Sequence, residues 1–362
     1  MSMKARTMTG HPTTDKAGMP RNPKASMMFT EASQAAEVLR AQFQRNAPAV
    51  AQLGAKLRLL SPRAVVTLAR GSSDHAATFA KYLIETRANV LTSSSAPSVS
   101  SVYLARQDLE GCLFLAISQS GRSPDLLASA RAARAAGATV VALVNSEDAP
   151  LSDVAEVTLP LCAGIEQSVA ATKTFIASLA AIVHLVAAWT DDSDLLDALQ
   201  AAPTQLERAW LLDWSAALPV LERASDLYVI GRGLGLAVAQ EAALKCKETS
   251  GLHAESFSSA EVMHGPQALL GPDFPALLLA QSDDTREGIA TLARELVSRG
   301  VPVMCAGVDV AGSIALPTMV AHPAIEPLLV AQSFYRLANQ LAHARGHDPD
   351  RPPHLNKVTR TL

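Results

Sequence analysis

The sequence has 362 residues, of which 49% are hydrophobic and 4% aromatic, and its formal net charge is −3. That length is sufficient for two hydrophobic cores, and the charge gives no reason to expect a nucleic acid or an anionic membrane as partner. The first 25 residues lack the apolar core of a signal peptide. No apolar run reaches the roughly 20 residues of a membrane helix. We therefore expect a cytoplasmic protein.

The chain begins with a polar stretch, residues 1–26, which we predict to be a disordered leader. A helical segment follows over residues 27–60, with a break predicted at Pro48. Short apolar runs then alternate with helical stretches. Strands are predicted at residues 64–69, 112–117 and 138–145, and helices at 76–85, 125–136 and 175–189. This alternation indicates a doubly wound parallel α/β sheet with helices on both faces.

The same plan recurs in the second half of the chain. Strands are predicted at residues 227–230 and 275–280, with a helix at 237–248. Ala69-Arg70-Gly71 aligns with Gly231-Arg232-Gly233, and Gln119-Ser120 with Gln281-Ser282, at the same offset of 162 positions. We therefore predict two tandem flavodoxin-like domains. Residues 61–190 form the first, 191–214 a linker with a charged helical stretch, 215–345 the second, and 346–362 a C-terminal tail.

A polar loop, residues 118–123, follows the second predicted strand and is called the serine loop below. It reads Ser118-Gln119-Ser120-Gly121-Arg122-Ser123. Ligands of doubly wound sheets bind at the carboxyl ends of the strands, and a helix N-terminus there favours anions. The hydroxyls could instead cap the following helix, and the lysine motif of triphosphate-binding loops is absent. We interpret the loop as the anchor of a phosphate monoester.

The internal repeat offers a comparison for this interpretation. At the equivalent place the second half reads Gln281-Ser282-Asp283-Asp284-Thr285. Two carboxylates at the start of a helix would repel a phosphate. Only the first domain is therefore expected to bind one.

Residues able to carry chemistry cluster in the second half and the tail. Lys245 and Glu248 are one helical turn apart, His264 precedes Gly-Pro, and Lys357 is the sixth residue from the end. A carboxylate can move a proton between carbons, a histidine can open a sugar ring, and a lysine amine can form an imine. Each also has a simpler interpretation, as an exposed ion pair, a turn residue or a solvated terminal lysine.

These motifs together resemble the sugar isomerase (SIS) domain family. The match rests on the serine loop, on Ala-Leu-Lys-x-Lys-Glu followed by His-Ala-Glu and His-Gly-Pro, and on the tail from Asp348 to Lys357. The chain looks like the isomerase half of glutamine–fructose-6-phosphate aminotransferases, and its layout is closest to that of SIS-type glucosamine-6-phosphate deaminases.

The resemblance implies a role for each matching residue. Glu248 is the carboxylate that moves the proton, with Lys245 beside it, and Lys357 forms the Schiff base. His264 opens the ring and is supplied by the neighbouring subunit of a homodimer. The implied phosphate contacts are Ser73, Ser118, Gln119, Ser120 and Ser123, and the other implied substrate contacts are Gly71, Ser72, Val169, Ala170 and Thr172.

Several departures from the aminotransferases guide the functional hypothesis. No glutaminase-type cysteine precedes Cys112. Compared with the aminotransferases, a carboxylate is replaced by Arg122, a serine by Ala171 and a cysteine by Arg70. The four cysteines form no C-x-x-C pair and the histidines lack ligand spacing, so we expect no metal and no cofactor. The leading hypothesis is an isomerising deaminase that converts glucosamine 6-phosphate to fructose 6-phosphate and ammonia. The alternatives are an aminotransferase or deglycase for another phosphorylated amino sugar or fructosamine, and a non-catalytic phosphosugar sensor.

Overall fold

The computed structural model describes residues 23–146 and 148–357. Most of the expected disordered leader, residues 1–22, lies outside the described residues. The expectation is wrong for the last four residues of that leader. Pro23–Ala25 form a 3₁₀ turn, and the Ser26 hydroxyl accepts a hydrogen bond from the Phe29 amide, which caps the first helix.

The first domain is built on a five-stranded parallel sheet with strand order β2-β1-β3-β4-β5. Its strands are β1 (Val65–Leu68), β2 (Thr92–Ser94), β3 (Leu113–Ser118), β4 (Thr139–Val144) and β5 (Val157–Pro160). The central strand β3 is buried over its whole length, as expected for a strand with helices on both faces of its sheet. Ser118, its last residue, pairs in register with Val144 of β4.

The second domain repeats this topology. Its strands are β6 (Asp226–Gly231), β7 (His253–Ser258), β8 (Ala276–Leu279), β9 (Val303–Ala306) and β10 (Ile314–Leu316), in the order β7-β6-β8-β9-β10. The repeat extends to the backbone of the first turn, where Gly71 has φ 57° and ψ −133° and Gly233 has φ 57° and ψ −131°. Both domains have the 2-1-3-4-5 order of flavodoxin-like sheets. The predicted fold class, two tandem doubly wound α/β domains, is confirmed.

Twelve α-helices surround the two sheets in the described part of the chain. They are α1 (Met27–Ser33), α2 (Ala35–Leu60), α3 (Ser72–Arg87), α4 (Pro97–Ser101), α5 (Pro124–Ala135), α6 (Pro150–Val154), α7 (Lys173–Thr190), α8 (Ser193–Leu211), α9 (Leu218–Arg223), α10 (Leu234–Ser250), α11 (Arg286–Ser298) and α12 (Glu326–Ala344). The predicted strands and helices all lie within or beside these elements, with ends displaced by a few residues. Strands β2, β5, β7, β9 and β10 were not predicted.

The break predicted at Pro48 is wrong, because α2 runs through that proline to Leu60. The missing amide hydrogen bond is tolerated because α2 is held from its sides. The Gln42 amide donates to the carbonyls of Leu161 and Ala177, and the Asn46 amide to that of Pro160. The helical segment is interrupted instead at Gln34, between α1 and α2.

Helix α7 is the core helix of the first domain. It is long and apolar enough to cross a membrane, but 89% of it is buried inside the protein. His184 in its middle is 5% exposed, and burial lowers its pKa to about 4, so the imidazole is neutral at pH 7. The side of α7 facing α2 comes so close that a Cβ on Gly54 would lie 2.5 Å from the Ala188 carbonyl oxygen.

The stretch expected to be a linker, residues 191–214, consists mostly of α8. Its N-terminus is capped by the Asp192 carboxylate, which accepts from the Leu195 amide at 2.9 Å. Helix α8 packs on α2 and α7 of the first domain and on α12 of the second. Helix α10 also packs against α3 across the domain boundary. The two domains therefore share a continuous core, in which the first turn of α3 contacts the middle and the C-terminal half of α10.

Candidate active site

The serine loop leaves the sheet at the carboxyl end of β3 and enters α5. Its shape depends on Gly121, whose φ of 60° is rarely adopted by other residues. A Cβ at this position would also lie 2.6 Å from the Ala149 Cβ. The Ser118 hydroxyl braces the turn by accepting from the Gly121 amide at 3.1 Å.

The capping explanation for the serines does not fit the observed bonds. Ser123 is the N-cap residue of α5, yet its side chain makes no capping hydrogen bond. The Ser120 hydroxyl only reaches the Arg122 amide, at 3.4 Å. Neither hydroxyl is needed to begin the helix, so both can serve a ligand.

A cavity of about 350 Å³, called the phosphate cavity below, opens in front of the loop. All five residues expected to hold the phosphate line it, together with the tail lysine. The lining residues are Arg70, Gly71, Ser73, Ile117, Ser118, Gln119, Ser120, Ser123, Leu126 and Lys357. The cavity thus brings together residues that are far apart in sequence. They come from the first turn of the domain, from the serine loop and from the tail.

Lys357 is held at this cavity by a buried carboxylate. Its Nζ donates to Glu166 Oε2 at 3.0 Å and to the Ser168 carbonyl at 2.7 Å. The Glu166 side chain is fully buried and also accepts from the Thr172 amide and from the Thr174 hydroxyl. Sequence reasoning missed Glu166 because no local pattern links the loop before α7 to a lysine 191 positions later.

Lys245 lies in a buried polar cluster between the domains. Its Nζ is 2.5 Å from Glu248 Oε2, 3.3 Å from Glu241 Oε1 and 3.2 Å from the Ser72 hydroxyl. Because the Lys245 side chain is fully buried, the simpler interpretation of an exposed ion pair is wrong. Since Ser72 lies between Gly71 and Ser73, this cluster adjoins the wall of the phosphate cavity.

Glu241 is the centre of that cluster and was missed in the sequence. Its carboxylate accepts from the hydroxyls of Ser72 and Tyr335, each at 3.1 Å, and lies 2.9 Å from His75 Nδ1. Burial opposes its ionisation, but Lys245 and then His75 outweigh that effect and lower the pKa of Glu241. The i,i+4 spacing of Glu241 and Lys245 on one helix was the available signal.

Burial and the charge of Glu241 raise the pKa of Tyr335 well above its usual value, which keeps the phenol protonated as a donor. Burial alone would favour neutral Lys245, but Glu241 and Glu248 raise its pKa well above the usual lysine value. Lys245 is therefore a fixed positive charge beside Glu248.

The Glu248 side chain is 20% exposed, unlike the fully buried Lys245 that it contacts. It lines a second cavity of about 340 Å³, with Leu244, Lys247, Gly251, His347, Pro353 and Leu355. The tail therefore contributes to both cavities, since Pro353 and Leu355 line the second and Lys357 the first.

The remaining expected residues lie outside both cavities. His264 is exposed and follows the 3₁₀ turn Glu261–Met263, beside exposed Met263 and Leu269. Val169, Ala170 and Thr172 belong to the loop that supplies the Ser168 carbonyl and the Thr172 amide to the Lys357 and Glu166 contacts. Within the described residues, no cluster of three His, Cys, Asp or Glu side chains could hold a metal ion.

The equivalent site in the second domain is occupied by the chain itself. Glu326, at the start of α12, accepts from the Ser282 amide at 2.6 Å and from the Ser282 hydroxyl at 2.7 Å. The Asp283 carboxylate accepts from the Thr285 amide at 2.9 Å. The remaining cavity there is about 10 Å³, too small for a phosphate. The sequence analysis expected the Asp283 carboxylate to repel a phosphate. The structure adds that the Glu326 carboxylate occupies the site, which the sequence did not reveal.

The comparisons with known proteins agree with this architecture. The SIS domain model matches residues 58–188 and 220–315, one match per domain and together more than half of the chain. The chain belongs to the SIS domain family. Within that family it is 35% identical, over 311 residues, to the glutamine–fructose-6-phosphate aminotransferase (isomerizing) of Aeropyrum pernix. The match covers 80% of this SIS chain and 49% of that relative, so the chain spans about half the length of the curated relatives it matches.

Solved SIS structures extend the comparison. A protein of Silicibacter pomeroyi, provisionally assigned as a phosphosugar isomerase, is 40% identical with a TM-score of 0.87, over 90% of this chain and 100% of that one. The glucosamine-6-phosphate deaminase of Thermotoga maritima is 21% identical with a TM-score of 0.75, over 93% and 100% of the two chains. The second likeness shows the shared fold alone. The comparisons agree on a broad class, a phosphosugar isomerase-type enzyme of the SIS family.

Proposed function

We propose that this SIS protein is an isomerising deaminase that converts glucosamine 6-phosphate and water to fructose 6-phosphate and ammonia. The observation that carries the proposal is the cavity that combines the hydroxyls of the serine loop with the Lys357 amine. A phosphate anchor and an imine-forming lysine in one cavity are what an enzyme acting at the other end of a phosphorylated keto sugar requires.

The proposed reaction balances without a cofactor. His264 opens the ring, and Glu248 removes the C2 proton and returns a proton to C1, which moves the carbonyl oxidation level from C1 to C2 and leaves an imine at C2. The Lys357 amine then adds to C2 and displaces ammonia, which takes up the proton that the lysine gives up. Water hydrolyses the resulting Schiff base and restores the lysine.

The proposed direction is the release of ammonia. The sequence departs from the aminotransferases at Arg70, Arg122 and Ala171, while the expected sugar-handling residues are retained. A site that can join ammonia to a keto sugar can also release it, because its steps are reversible. We also propose a cytoplasmic location, where phosphorylated amino sugars are available.

The direct test is an assay of the purified protein with glucosamine 6-phosphate. Ammonia and fructose 6-phosphate are expected in equal amounts, and glucosamine without the phosphate should not react. N-acetylated, galactose-configured and fructosamine phosphates serve as the comparison panel. Tight binding of glucosamine 6-phosphate without turnover would contradict the proposal, and turnover of a panel member alone would reassign the substrate.

We further propose a homodimer in which His264 completes the neighbouring subunit's site. Its exposure beside Met263 and Leu269 supports this arrangement. Mixing the inactive variants His264→Asn and Glu248→Gln by refolding should restore activity to about a quarter of the wild-type level, because half of the dimers carry one intact composite site. If His264 acts within its own subunit, every mixed dimer stays inactive. Sizing chromatography with an activity readout provides the control.

A further inference from the structure

Arg70 adds a positive charge to the wall of the phosphate cavity. It lies two residues after β1, its side chain is 52% exposed, and it lines the cavity with the serine loop. Apart from Lys357, the other lining groups are hydroxyls, amides and apolar groups, so a guanidinium at this wall changes what the cavity can recognise.

The position of this guanidinium is fixed by a buried carboxylate. Arg70 Nη2 donates to Asp125 Oδ2 at 3.1 Å, and the Asp125 side chain is fully buried. Asp125 lies in the first turn of α5, two residues after Ser123, so Arg70 connects the end of β1 to the exit of the serine loop. Asp125 Oδ1 also accepts from the Leu126 amide, which fixes the carboxylate in turn.

The two cations of the cavity share this arrangement. Lys357 is backed by fully buried Glu166, as Arg70 is by Asp125. The lining residues include no carboxylate. Positive groups therefore face the cavity while their counter-charges lie behind them, which holds the donors in place before a ligand arrives.

The other arginine of the region is directed elsewhere. Arg122 pairs with exposed Asp148 at 3.1 Å and does not line the cavity. Arg70 is thus the arginine oriented for the ligand. Its planar fork can keep one donor on Asp125 and offer others to two oxygens of a phosphate, a geometry that a lysine cannot match.

We propose that Arg70 is a specificity-determining residue that binds the substrate phosphate and selects phosphorylated over uncharged sugars. The inference rests on the proposed phosphosugar site. It assigns the main charge contribution to Arg70 and leaves the shape of the site to the serine loop.

The test is calorimetric titration with inorganic phosphate, which needs no knowledge of the sugar. Arg70→Gln is expected to raise the Kd by about 10- to 100-fold, the usual value of a charge-assisted hydrogen bond, and Arg70→Lys to give an intermediate Kd. The matched control is Arg63→Gln, which removes the same charge at the opposite end of β1, where Arg63 pairs with exposed Asp108. This control should leave the Kd unchanged.

A double variant separates ligand binding from a purely structural role. Arg70→Gln alone removes one charged contact of buried Asp125 and could weaken the fold, whereas Arg70→Gln with Asp125→Asn removes both charges. If Arg70 binds phosphate, the double variant remains weak in binding. Wild-type-like binding by the double variant, or by a folded Arg70→Gln protein, would overturn the inference and leave the proposed function intact. Absence of phosphate binding by the wild type would overturn the phosphate site itself.

Discussion

Replacing Glu248 with Gln is expected to lower kcat for glucosamine 6-phosphate by about 10²- to 10⁴-fold, the usual contribution of a positioned general base. The amide keeps the size of the side chain and can still contact Lys245, which lies 2.5 Å from the native carboxylate. What it loses is the ability to take a proton from C2. Because Glu248 lies outside the phosphate cavity, substrate binding should remain near the wild-type level.

Two readouts make this prediction specific. In heavy water the wild type should exchange the C2 hydrogen of bound substrate for deuterium, and the Glu248→Gln protein should not. Glu222→Gln, an exposed carboxylate on α9 away from both cavities, is the matched control. Undiminished deuterium exchange in Glu248→Gln would show that another group is the base.

Replacing Lys245 with Met is expected to reduce the free energy of unfolding by about 3–5 kcal/mol, as when one partner of a buried ion pair is removed. The change leaves the fully buried Glu241 without its cation, although Ser72, His75 and Tyr335 still contact it. Chemical denaturation followed by circular dichroism measures the effect. Adding Glu241→Gln to Lys245→Met should recover part of the loss, because the unpaired buried charge is then absent.

An exposed pair provides the control for this stability prediction. Arg40 and Glu207 lie 2.7 Å apart, with side chains 50% and 52% exposed. Glu207→Gln should change the stability by no more than about 0.5 kcal/mol. A loss for Lys245→Met as small as this control would mean that the buried cluster contributes nothing to holding the domains together.

The free energy of unfolding, measured as a function of pH, should also show the effect of the Glu241 charge at acid pH. The pKa of Glu241 is lower in the folded protein than its ordinary value of 4.5. The stability that its ionisation contributes is therefore fully present above pH 4.5 and is lost as the pH falls toward the folded value. Glu241→Gln should flatten this part of the profile.

The duplicated α/β fold was predictable because both of its signals can be recognised in short segments of the sequence. Apolar strands alternate with helices, and two landmarks recur at one offset. The serine loop was likewise readable from its position after β3. Local rules failed at Pro48, where the packing of α7 and the side-chain bonds of Gln42 and Asn46 keep the helix continuous.

The residues that escaped prediction act through contacts between distant segments. Glu166 meets Lys357 across 191 positions, and Glu241 gathers Ser72, His75 and Tyr335 from two other helices. No periodicity or motif predicts such side-chain contacts, because they depend on how the domains pack. The family resemblance carried Lys357, Glu248 and Lys245 but gave no indication of the carboxylates that fix the position and charge of the two lysines.

Glu326 gives the second domain a permanent ligand of its own. Because it is part of the same chain, its carboxylate binds the Ser282 amide as an intramolecular ligand, without the cost of bringing two molecules together. The second domain is thus fixed in a liganded state that the first can reach only with a substrate. Ser120 corresponds to Ser282, so this intramolecular contact supplies a template for the first domain's site, in which the amide and hydroxyl of a single serine together bind one anionic group.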